Sequence, residues 1–97
     1  MEFNEINKKA VDATRKRLER ANFQPNIDQT IIHLIEELGE VAHQRNNDLL
    51  ERREGYNQKD MGKEISDCII LLMFLASQYE VDLEKEVLDK IKDIDTR

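Results

Sequence analysis

The sequence is poor in helix breakers and in cross-links. It has one proline, three glycines, no tryptophan and a single cysteine. Few turn clusters and few β-branched runs argue against sheets and for helices. One thiol, Cys68, excludes an intramolecular disulfide and fits a reducing compartment. It lies in the most apolar stretch, where a small buried core residue is expected. Long apolar runs are also missing. The run from Cys68 to Ala76 falls far short of the roughly 20 residues a spanning helix needs. The opening Met1-Glu2-Phe3-Asn4-Glu5 lacks the basic-then-apolar pattern of a signal peptide. Basic charge is outnumbered too: 15 Lys and Arg against 21 Asp and Glu leave a net charge of −6, which disfavours nucleic acid as a partner. A soluble cytoplasmic protein with no membrane partner is expected. An acidic surface still admits a small phosphate substrate, because a bound metal inverts the local field.

With 97 residues, 37% charged and 39% hydrophobic, the chain reads as a single all-α domain over residues 1–97. A first helix is expected over about Asn4–Ala21, with Phe3, Ile6, Ala10 and Ala13 along one side and a solvated basic cluster, Arg15-Lys16-Arg17 and Arg20. Pro25 forces a break. Asn26 and Gln29 then suit a capping box for a second helix from Ile27. That helix ends at Asn46-Asn47-Asp48, or runs on to Arg53 with Gly55 as its cap. Gly55-Tyr56-Asn57 reads as a turn, and a third helix follows from Asn57 or Gln58 to about Tyr79. Asp82 is a natural N-cap for a fourth, whose apolar stripe is Leu83, Val87, Leu88, Ile91 and Ile94. Short links make these largely antiparallel neighbours in a four-helix bundle-like fold. From Ile65 to Ala76 the third helix is apolar nearly all round, more than three partner helices need cover. The bundle is therefore expected to be completed by homo-oligomerisation, as a homodimer or homotetramer with the third helix near the interface.

Two acidic segments interrupt this apolar pattern. In the second helix, Ile31, Leu34, Ile35, Leu38, Val41 and Ala42 form one arc, with Glu37 and Glu40 one turn apart on its margin. In the third, Glu64 and Asp67 share a face with Leu71 and Leu75. A carboxylate beside a buried face is costly unless paired, protonated or coordinated to a metal. Antiparallel packing of the two helices brings Glu37-x-x-Glu40 and Glu64-x-x-Asp67 together, and hard oxygen ligands suit Mg²⁺ or Mn²⁺. Solvated acids on exposed turns are the plainer account, and fit Glu64 better than Asp67.

The run Leu34-Ile35-Glu36-Glu37-Leu38-Gly39-Glu40, followed by Gly62-Lys63-Glu64-Ile65-Ser66-Asp67, resembles the EExxE…ExxD signature of MazG-like nucleotide pyrophosphohydrolases, of the all-α nucleoside triphosphate pyrophosphatase superfamily. Ala76, Tyr79-Glu80-Val81-Asp82-Leu83-Glu84 and Lys90 look like that family's link into its last helix, so the resemblance covers about Gln29 to Arg97. It implies an oligomer of helical bundles and Mg²⁺-dependent cleavage of a nucleoside triphosphate to a monophosphate and pyrophosphate. It also implies that Glu37, Glu40, Glu64 and Asp67 hold metal, and that Glu36, with Glu37, serves catalysis by orienting or activating the attacking water. Ile94 departs from the pattern, standing where the family often has asparagine.

For substrate contact the candidates are His33, one turn before Glu37, and Lys90, with Lys63 and Lys59 near the start of the third helix weaker. Phe23 and Tyr56 offer rings to a base, although packing is the commoner fate of Phe23. Three alternatives compete. Phosphoribosyl-ATP pyrophosphohydrolase shares the superfamily. A ferritin-like di-iron protein would use Glu40-x-x-His43, but the partner helix offers no histidine. A non-catalytic helical interaction module would carry its acids as surface decoration.

Overall fold

In a computed structural model the described residues, 2–49 and 58–97, contain four helices: α1 (Phe3–Arg20), α2 (Ile27–Leu49), α3 (Gln58–Gln78) and α4 (Leu83–Asp95). Among the described residues there is no strand, and no helix is long and apolar enough to cross a membrane. An ending of α2 at Arg53 with Gly55 as cap, the turn at 55–57, the ring of Tyr56 and the side chain of Lys59 lie outside the described residues.

Local chemistry sets the helix ends. The capping box is formed: the Gln29 amide donates to Asn26 Oδ1 at 2.8 Å, and the Asn26 amide donates to Gln29 Oε1 at 3.0 Å. Asp82 caps α4 by accepting from the Lys85 amide at 3.2 Å. α2 is helical through the Asn46-Asn47-Asp48 run to Leu49, the last described residue before 58. The Asn47 side chain is buried and its amide nitrogen lies 3.3 Å from His43 Nε2 one turn back. α1 and α3 close in the same way. Asn22 and Glu80 adopt left-handed φ values of 54° and 56°. The following amides reach back across the last turn: Phe23 to the Leu18 carbonyl and Val81 to the Ala76 carbonyl, both at 2.9 Å. These are Schellman closures built without glycine.

α3 is the central element, packed against α2 on one side and α1 on the other. The core is Cys68, Leu71, Met73 and Phe74, all from α3. Two partner helices cover only part of a helix that is apolar all round, so Ile65, Ile69 and Leu72 remain nearly half exposed. The expected apolar arc of α2 needs correction. The face turned to α3 carries Thr30, Leu34, Glu37, Val41 and Gln44, whereas Ile35 and Leu38 are 61% and 51% exposed. The helix rolls toward its acidic margin, placing Glu37 between the helices with Leu34 and Val41 and leaving Ile31, Ile35 and Leu38 outside. α4 does not pack extensively on any other helix, and none of its residues is buried. The radius of gyration is accordingly 15.7 Å, against about 13 Å for a compact chain of this length.

Candidate metal centre

The roll of α2 and its packing on α3 decide which acids meet. Glu37 from α2 and Glu64 and Asp67 from α3 each offer an oxygen within 4.8 Å of the others. Glu37 and Glu64 are half-buried and Asp67 is exposed, so the cluster sits at the edge of the helix interface. Glu40 stands outside this tightest group. It is nonetheless near enough that, after burial itself, its charge is the largest influence raising the Glu64 carboxyl above its ordinary range. Glu37, Asp67 and Asp60 push in the same direction. Like charges gathered this way favour either a proton or a cation.

The donor set fits a hard divalent cation. Two oxygens on opposite sides of Mg²⁺ stand about 4.2 Å apart, so small side-chain rotations would close the set observed here. No thiolate competes: burial, then the charges of Glu37, Asp67 and Glu64, push the Cys68 thiol up, and it stays protonated behind the cluster. His33 Nε2 lies 3.3 Å from Glu37 Oε1, which positions that carboxylate from one turn away. His43 faces Asn47 and joins no carboxylate cluster among the described residues, so nothing here supports a di-iron site.

Beside the cluster lies a cleft of about 610 Å³, within the usual range for small-molecule sites. His33, Glu36, Glu37 and Asp67 line one part of it. Lys63 and Lys90 do not; both are exposed, and Lys90 rides on the diverging α4. The rest of the lining includes Phe23, a candidate ring for a base, together with Arg17, expected on a solvated face, and Gln29, expected only as a cap. The one sequence signal for this wall was an aromatic residue placed in a link just before a proline.

Facing helices with a cluster of three carboxylates, set beside a cleft of about 610 Å³, define an all-α fold with an acidic site between two of its helices. The family model described as the MazG nucleotide pyrophosphohydrolase domain matches residues 26–97, and the chain belongs to that family. No curated protein and no solved structure gives a significant match. α1 and Phe23 lie outside the matched residues.

Proposed function

We propose that this chain is a metal-dependent nucleoside triphosphate pyrophosphohydrolase, working with Mg²⁺ or Mn²⁺. The observation that carries the proposal is the convergence of Glu37, Glu64 and Asp67 at the edge of a cleft. These three would hold the cation, with Glu40 completing the set. A bound cation would neutralise phosphate charge and acidify a water. Glu36, which lines the same cleft, would take the proton as the water oxygen bonds to the α-phosphorus. The bond from that phosphorus to the bridging oxygen breaks, and pyrophosphate leaves with the electron pair. His33 holds Glu37 in position and contacts the substrate from the same wall. Lys63 and Lys90 belong to this proposal only if another copy brings them to the phosphates.

The working unit is a homo-oligomer, homodimer or homotetramer, in the cytoplasm. The accessible surface of 7707 Å² exceeds by about 1,900 Å² what a compact monomer of 11.5 kDa exposes. That excess is of the size one partner loses in an obligate interface. The bare stripes Ile31, Ile35 and Leu38 on α2 and Ile65, Ile69 and Leu72 on α3 are the surfaces for it.

The test is pyrophosphate release from a panel of ribo- and deoxyribonucleoside triphosphates, with Mg²⁺, with Mn²⁺ and with chelator. Metal-dependent appearance of a monophosphate and pyrophosphate is expected. Release from phosphoribosyl-ATP alone would move the chain to that neighbouring activity. No release from folded protein, with no metal binding by titration, would leave the interaction module.

A further inference from the structure

Two walls of the cleft differ in chemistry. Asp67 and Phe74 both line the cleft from α3 and are seven residues apart, about 10 Å along the helix, so acid and aromatic occupy different parts of it. Along α2, Glu37 and Gln29 both line the cleft and are eight residues apart, which at 1.5 Å per residue is about 12 Å. That length accepts a nucleoside laid out from the metal end.

The far wall is fixed rather than loose. The left-handed turn at Asn22 locks the Phe23 amide onto the Leu18 carbonyl. The side-chain amide of Gln78, near the end of α3, donates a long bond of 3.4 Å to the Pro25 carbonyl and ties the link to the core. Yet Phe23 itself is 43% exposed, an aromatic ring held in place and left uncovered. Arg17, one residue before the Leu18 anchor, is the only lysine or arginine among the described residues of the cleft. Asp12 takes Arg15 at 3.8 Å, while among the described residues no ion pair holds Arg17.

We infer that α1 and its link, outside the family-matched region, form the nucleoside-recognising wall, with Phe23 stacking on the base and Arg17 reading its edge. This rests on the proposed pyrophosphohydrolase activity. An aromatic face accepts any base, so Phe23 supplies affinity. A guanidinium donates and never accepts, so Arg17 selects bases with a keto oxygen at the purine 6 or pyrimidine 4 position (guanine, uracil, thymine) over adenine and cytosine, which present an amino group there.

Nucleosides without phosphate, titrated in chelator and followed by amide chemical shifts, isolate this wall from the metal site. Guanosine, uridine and thymidine should bind more tightly than cytidine and adenosine. Phe23→Ala should weaken all of them roughly tenfold, and Phe23→Tyr should restore binding. Arg17→Gln should erase the preference for keto bases. With triphosphate substrates, Phe23→Ala should raise KM by a similar factor and leave kcat nearly unchanged. Asp67→Asn should lose turnover while nucleosides still bind. Nucleoside affinities and base ranking unmoved by both wall variants would overturn the inference even if wild-type turnover is robust. Wild-type protein that releases no pyrophosphate yet binds nucleosides through Phe23 would keep the wall and reject the hydrolase.

Discussion

Asp67→Asn should act on stability with opposite signs depending on metal. Its oxygen lies within 4.8 Å of a Glu37 oxygen, and two unit charges at that distance repel by about 0.9 kcal/mol in a water-like dielectric. The separation is shorter than the roughly 8 Å screening length at physiological salt, so much of that repulsion survives. Glu64 adds repulsion in the same direction. In chelator the neutral amide therefore relieves strain between charges. For a domain of this size 1 kcal/mol moves Tm by about 4–8 °C, so a rise of about 4 °C is expected. In Mg²⁺ at a hundredfold excess over Kd, wild type should gain about 2.7 kcal/mol, worth roughly 10–20 °C. The variant, short of one ligand, should lose most of that gain. The assay is thermal unfolding followed by circular dichroism at one protein concentration, with EDTA and with Mg²⁺. A variant no more stable than wild type in EDTA, with the full Mg²⁺-induced rise, would refute the metal centre. Surface decoration predicts the gain in EDTA without the loss of a Mg²⁺-induced rise.

The remaining expectations are simpler. The raised carboxyl of Glu64 means the folded protein holds that proton more tightly than the unfolded chain, whose value is near 4.5. Metal-free protein should then lose stability as pH rises from about 4.5 through the raised value, and Glu64→Gln should flatten that slope in urea titrations at stepped pH. Glu80→Gly should stabilise by roughly 1 kcal/mol, because the φ of 56° costs a residue with a Cβ and costs glycine little. Chemical denaturation would show it, and destabilisation would refute the left-handed cap. Ile35→Asp, on the exposed stripe of α2, should shift the oligomer toward monomer in sedimentation velocity and leave the helical signal intact; an unchanged assembly would place the interface elsewhere.

Much of the local structure follows from the sequence alone. Helix breaks fall where Pro25 forbids continuation and where Asn26 and Asp82 satisfy free amides, interactions that span only a few residues. The acidic signature and its spacing were equally legible, since residues three apart share a helix face whatever the fold. Tertiary packing decided the rest. Periodicity pointed the Ile31–Ala42 arc inward, but α2 rolled to set Glu37 against Glu64 and Asp67 and left Ile35 and Leu38 outside. Which carboxylates converge depends on that roll and on the register between α2 and α3, neither of which a single helical wheel contains. The same holds for the cleft. Arg17 and Phe23 are far from Asp67 in sequence and join it in one lining only when α1 and α2 pack on α3. The divergence of α4 has the same origin: an amphipathic stripe specifies that a face must be covered, and the rest of the assembly specifies by what.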